Sequence, residues 1–179
     1  MKTSLHLLVS IMTVTLAAPA LAEVKDIRDN GFTIEATVLA EASPAGTYRA
    51  LVNVAMWWDP AHTWSGSTRN LTLDPKAGGC FCEKLANGGS VQHARVIFAQ
   101  PGKLLRLEGG LGPMQDMAVT GILSFTLEPD GKGTRIRMTY RVAGVLTMPA
   151  AQLAPGVDQV MGIQLGRLQA LIAGGPAGH

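Results

Sequence analysis

Eight consecutive residues hold all three tryptophans of this chain together with a carboxylate and an imidazole: Trp57-Trp58-Asp59-Pro60-Ala61-His62-Thr63-Trp64. Asp59 and His62 stand three apart. A carboxylate that orients an imidazole is the smallest unit of general acid–base catalysis. Asp before Pro is also an ordinary turn former and helix stop. No Ser or Cys is placed by sequence to complete a triad, and G-x-S-x-G is absent. His62 therefore reads first as a polar group in a pocket and second, with Asp59, as an acid–base pair. Trp57, Trp58 and Trp64 offer rigid apolar contact with one N–H each. Their plainer use is to plug the first helices onto a sheet.

Other residues could join such a pocket. Gly109-Gly110-Leu111-Gly112-Pro113-Met114 is glycine-rich but leads into a strand, whereas a phosphate cradle needs a helix N-terminus behind it. It reads as a flexible rim, with Met114 and Met117 as adaptable apolar lining. Tyr140 lies on the inward face of its strand. Gln164 is a polar residue on an otherwise apolar helix stripe; it bonds either to the sheet or water, or to a ligand. Glu83 and Glu108 flank apolar strand positions, as solvated or salt-bridged ends, or as buried carboxylates with a raised pKa. In Ser90–Ala99 the apolar pair Val96 and Phe98 sets the core face, which leaves His93 and Arg95 on the wet face.

Cys80 and Cys82 are two apart in the strand-like run GGCFCE. Regular strand geometry would put their Cα atoms about 6.6–7 Å apart, at the limit for a relaxed disulfide. Two small buried thiols are expected ahead of a bridge or a metal site. Metal ligation would need further ligands, and outside the leader and the last residue only His62 and His93 are available. No metal or other cofactor is expected.

The elements that must position these groups are legible. The apolar residues Val157, Val160, Met161, Leu165, Leu168, Leu171 and Ile172 recur in steps of three and four, making one helical stripe over Ala154–Ile172. Pro155 suits a first turn, Asp158 complements the N-terminal dipole, and Gly174-Gly175-Pro176 ends the run. Such a helix would be about 25 Å long, enough to cross a sheet. Upstream, residues Asp26–Glu41 alternate with Phe32, Ile34, Ala36 and Val38 inward. Ala42–Gly46 breaks that strand, and Thr47 can cap a short helix carrying Leu51 and Val54 inward. Strands follow at Ser67–Leu73, Cys80–Leu85, Ser90–Ala99 and Lys103–Glu108. Two long ones then turn inward Val119, Gly121, Leu123, Phe125 and Leu127, and Thr134, Ile136, Met138, Tyr140 and Val142. Clean alternation means an antiparallel sheet with one wet face. The expected class is α+β, a curved antiparallel sheet gripping a long C-terminal helix.

The first 22 residues have a basic Lys2, an apolar run from Leu5 to Leu16 and an A-x-A site at Ala20–Ala22, the pattern of a cleaved signal peptide. The apolar run is shorter than the roughly 20 residues that span a bilayer. The expectation is residues 23–175 as one domain, 176–179 as a disordered tail, and a periplasmic or secreted bacterial product with no membrane span after cleavage. The whole chain carries a net charge of +2. Without a Lys/Arg cluster, nothing points to nucleic acid.

Taken together, WWDPAHTWSG, GGCFCE, GGLGPMQ, TRIRMTYRVAG and VDQVMGIQLGRLQ, in the order strand–helix–strands–helix, resemble the SRPBCC superfamily. That group includes START lipid-transfer domains, polyketide cyclases and the activator of the large heat-shock ATPase. The resemblance covers about residues 24–173 and is nearest to exported members of the cyclase and heat-shock-activator branch. It implies a helix-grip fold with a cavity between sheet and C-terminal helix, in which most members bind a hydrophobic small molecule or lipid. Activation of a cytosolic ATPase does not fit an exported chain. The leading expectation is a monomeric or weakly dimeric binding protein, with Trp64, His62 and Gln164 orienting the ligand. Its alternative is a cyclase- or hydrolase-type enzyme using His62 and Asp59.

Overall fold

The computed structural model describes residues 22–175, so the signal-peptide and tail assignments lie outside the described residues. Eight strands form one antiparallel sheet in the order β1-β2-β8-β7-β6-β5-β4-β3. They are β1 (Glu23–Arg28), β2 (Gly31–Ala40), β3 (Leu71–Leu73), β4 (Cys80–Lys84), β5 (Ser90–Gln100), β6 (Leu104–Glu108), β7 (Ala118–Asp130) and β8 (Gly133–Val145). Helix α1 (Pro44–Val52) follows β2, and helix α2 (Ala150–Ile172) closes the chain against β1 and β2. This is the expected α+β helix grip. The core lies between the sheet's inner face and α2, where Ile34, Leu105, Ile136, Met138, Leu165 and Leu168 are fully buried. No described helix is long and apolar enough to cross a membrane.

Where the sequence alternates without interruption, the strands are as expected. Leu123, Phe125 and Leu127 on β7 and Ile136, Met138, Tyr140 and Val142 on β8 all face the core. Elsewhere the chain departs from the reading. Asp26–Glu41 is not one strand but the hairpin β1–β2, turned at Asp29-Asn30 ahead of Gly31. Ser43, not Thr47, caps α1: its hydroxyl accepts from Gly46 N at 3.3 Å, and Pro44 takes the first helical position. Thr47 is fully buried within the helix. Thr68–Asn70 is a 3-10 turn, which leaves only Leu71–Leu73 as strand.

Strand β5 carries two bulges. Phe81 pairs with Ala94 and Cys82 with Gln92, so His93 is an extra residue against β4. Val96 pairs with Leu107 and Phe98 with Arg106, so Ile97 is extra against β6. Each bulge reverses the alternation beyond it and bends the strand. His93 consequently faces inward beside Ala94, and Phe98 faces outward under the Arg106 guanidinium, 5.9 Å from the ring centre. The expected assignment of these two residues is thus inverted, while Arg95 does face solvent and pairs with Glu108 at 3.1 Å. The cysteine reading is corrected as well. Cys80 and Cys82 form a disulfide, with Cα atoms 5.4 Å apart rather than at regular strand spacing. The bridge lies half-buried on the opposite face of β4 from Phe81 and Glu83.

Helix α2 begins four residues earlier than the stripe suggested, so Pro155 lies inside it and Asp158 falls beyond the first turn. Gly174, at φ 76°, ends it as expected, and Gly175 N donates to Ala170 O at 3.0 Å. Asp158 Oδ1 is enclosed without a partner. Burial, reinforced by the charge of Glu23, pushes its carboxyl above the usual range. A carboxyl whose folded pKa is raised opposes folding once it must ionise, as at pH 7, and stops doing so in acid. Asp158→Asn, which keeps the shape but removes the charge, should therefore stabilise the fold at pH 7. Urea midpoints of the two proteins should converge at pH 3.

Candidate functional site: an apolar cavity beside a buried carboxylate–histidine pair

A cavity of about 460 Å³ opens between the first half of α2, the 58–64 segment and the loop leading into β7. Leu153, Val157, Val160 and Met161 come from α2, Trp58, Ala61, His62, Thr63 and Trp64 from the segment, and Leu111–Met114 from the loop. His93 reaches it from β5. Trp64 is 57% exposed at the opening, while Trp58 and Met114 are buried in its wall.

The 57–64 segment is held by hydrogen bonds that fix its side chains. Asp59 caps the 3-10 turn Pro60–His62, its Oδ1 accepting from Ala61 N at 2.9 Å. Trp58 Nε1 donates to His62 O, and Trp57 Nε1 donates to Leu51 O, both at 3.0 Å. Gln164 reaches across from α2: its Oε1 accepts from Asp59 N at 2.8 Å. That bond assigns the other end of the amide as NH₂, which lies 3.3 Å from His62 Nδ1 and donates to it. Nδ1 is then the unprotonated nitrogen of the ring, and Nε2 carries the hydrogen. Asp59 Oδ2 stands 3.6 Å from the same Nδ1, beyond hydrogen-bond reach. His62 is therefore positioned by Gln164 rather than by Asp59, and the geometry of an Asp–His base is not formed.

A different pair has that geometry. Glu83, only 1% exposed, accepts from His93 Nε2 at 2.9 Å, and His93 is 6% exposed. The Glu83 carboxylate also accepts from Trp64 N at 3.0 Å and from Ser65 N at 2.5 Å. Burial acts to raise its pKa, but Ser65, through its side chain as well as its N–H, together with Trp64 N and His93 outweighs it and holds the carboxyl below the usual range. Glu83 is thus the buried carboxylate of the alternative reading, but without its rise. Burial lowers the His93 pKa, with Glu83 opposing only in part. The pair at neutral pH is thus an ionised carboxylate and a neutral imidazole. Phe81 packs between it and Trp58, with ring centres 4.9 Å from His93 and 5.2 Å from Trp58.

Of the residues expected to touch a ligand, Trp58, His62, Trp64 and Met114 line the cavity and Trp57, Met117, Tyr140 and Gln164 do not. Trp57 is core, edge-on to Phe125 at 6.5 Å. Tyr140 is a strut: its hydroxyl donates to Gly109 O at 2.9 Å and accepts from Leu111 N at 3.0 Å, fixing the loop that walls the cavity. Burial pushes its phenol pKa up, so it stays a donor. The Glu83–His93 pair was missed because parity was read from Val96 and Phe98. A signal existed: apolar residues occupy both parities of Ser90–Ala99, which a regular strand with one wet face does not do.

No protein-family model and no curated protein matches this chain. Solved structures do. CalU16 from Micromonospora echinospora is 16% identical with a TM-score of 0.54, over 90% of this chain and 87% of its own. A protein from Mesorhizobium loti is 20% identical with a TM-score of 0.53, over 79% and 96%. DynU16, a protein in the dynemicin biosynthetic locus, is 17% identical with a TM-score of 0.53, over 82% of this chain and 49% of its own. At such identities the likeness is one of fold. The chain shares the helix-grip fold of these structures.

Proposed function

We propose that this chain binds a hydrophobic small molecule, such as a lipid, polyketide or other aromatic compound, in the cavity beneath α2. The observation that carries the reading is the cavity itself: about 460 Å³, walled by Trp58, Leu111, Met114, Leu153 and Met161. That volume falls within the range of small-molecule sites, and its few convergent polar groups are their usual complement. An exported, periplasmic or secreted protein of the cyclase-like branch fits the leader-like first 22 residues. The Cys80–Cys82 bridge suits an oxidising compartment. Acid–base catalysis in the same cavity is a second reading, favoured by the 2.9 Å contact that orients His93 on Glu83.

Gly156 gives a direct test. It lies on the rim of the cavity, and a Cβ built there meets nothing within 4 Å. Gly156→Trp should narrow the opening without touching the core, and replacing a helical glycine adds slightly to stability. N-phenyl-1-naphthylamine, which fluoresces in apolar surroundings, should bind the wild type and lose about tenfold or more in affinity for the variant. Equal binding to both proteins would remove this cavity as the binding site.

A further inference from the structure

Some polar groups around the cavity are committed, and those left without a hydrogen-bond partner among the described residues include two donors, His62 Nε2 and Trp64 Nε1. Trp58 Nε1 is bonded to His62 O, and His62 Nδ1 to Gln164. His93 differs. Glu83 is ionised, so it offers lone pairs only; its Oε2 already accepts from Trp64 N, and its Oε1 from Ser65 N. The hydrogen in the 2.9 Å contact must therefore sit on His93 Nε2. In a neutral imidazole the other nitrogen is then a bare acceptor. His93 Nδ1 has no hydrogen-bond partner among the described residues. It is also not among the enclosed orphan atoms, which are Tyr48 Oη and Asp158 Oδ1. Its lone pair is reachable from the space the residue lines.

That space is two cavities. His93 and Met114 are shared between the apolar cavity and a second, more open one of about 470 Å³, walled by Gln92, Glu108, Gly109 and Gln115 among others. The acceptor thus stands where apolar walls give way to polar ones.

We propose that His93, held by Glu83, is the polar anchor of the site and accepts a hydrogen bond from a hydroxyl on an otherwise apolar ligand, selecting alcohols, phenols or enols over their ethers and parent hydrocarbons. A hydroxyl donates to Nδ1, whereas an ether of the same size presents only lone pairs and leaves the imidazole unsatisfied. Discrimination by an unmade buried hydrogen bond is larger than the bond's own net contribution. This inference rests on the ligand-binding reading above.

The experiment titrates the chain with naphthalene, 2-naphthol and 2-methoxynaphthalene by calorimetry at pH 7. Wild type should favour 2-naphthol over 2-methoxynaphthalene by about tenfold. In His93→Leu that ratio should collapse to near one. Equal affinities in the wild type, or a preference that survives in His93→Leu, would overturn the anchor while leaving the cavity as a binding site. Failure of all three probes to bind would sink the binding reading, and the anchor with it. A second measurement needs no variant. In ¹⁵N-labelled wild type, His93 Nδ1 should give the unprotonated imidazole signal and shift with 2-naphthol but not with naphthalene. A protonated Nδ1 signal in the free protein would contradict the assignment.

Discussion

Glu83→Ala should lower the stability of this fold by about 3–5 kcal/mol, the range for removing one partner of a buried charged network. Three donors converge on the Glu83 carboxylate: Trp64 N, Ser65 N and His93 Nε2. Truncation leaves all three facing a void, and each unsatisfied buried group costs about 1–3 kcal/mol. The urea midpoint should fall with little change in the slope, since the surface exposed on unfolding is nearly the same. The pH dependence gives a second reading of the same change. The folded His93 pKa lies below its ordinary 6.5, so as pH falls beneath that value the unfolded chain takes the proton first and stability declines. The folded Glu83 pKa lies below its ordinary 4.5, so its stabilisation is present above that pH and is lost as pH falls through the folded value. Both groups act in the same direction. Wild type should weaken on acidification first below about 6.5 and again below about 4.5, and in Glu83→Ala the second of these steps should lose the Glu83 contribution. A variant within 1 kcal/mol of wild type at pH 7 would mean that these bonds are not made in solution.

Gly121→Ala should be nearly as damaging, about 3 kcal/mol, the upper end for overpacking in a core. A Cβ on Gly121 would lie 2.5 Å from both Cε2 and Oη of Tyr140 and 2.6 Å from Gly109 O. Tyr140 is wholly buried, so its ring has nowhere to go without giving up Gly109 O and Leu111 N. Tyr140→Phe alone removes the same two bonds without the clash and should cost about 1–2 kcal/mol. In the double variant the shorter phenylalanine relieves part of the collision, so the two losses should sum to less than the separate values. Strict additivity in urea unfolding would show that Gly121 and Tyr140 are not coupled. Because Leu111–Met114 form one wall of the cavity, the probe affinity of Gly121→Ala should fall as well.

The parts of this molecule that could be read beforehand are those in which one local period persists. Strands β7 and β8 alternate over their length, and the stripe from Val157 to Ile172 keeps helical spacing, so both were placed on their correct faces. Strand β5 was not, because an extra residue at His93 and another at Ile97 each shift the parity, and no local period survives them. The start of α2 was missed because Pro155 suits a first turn, whereas it is the sixth residue of the helix, an interior position at which it forgoes the bond to the carbonyl four residues back. At the site, the tryptophan–histidine segment was visible because its residues are adjacent. Its supports were not: Glu83 meets backbone N–H groups 18 and 19 residues away, and Gln164 meets Asp59 across 105. Backbone donors carry no side-chain signature, so pairing of this kind leaves no pattern along the chain.

The central claim is that the cavity beneath α2 holds an apolar ligand. The most direct measurement is an amide and methyl NMR titration of the chain with naphthalene. The account predicts saturable shifts concentrated at Trp58, His62, Met114, Leu153 and Met161, with Phe98 and the other outward residues of the sheet unmoved. Shifts scattered over the outer face, or none at saturating naphthalene, would contradict it.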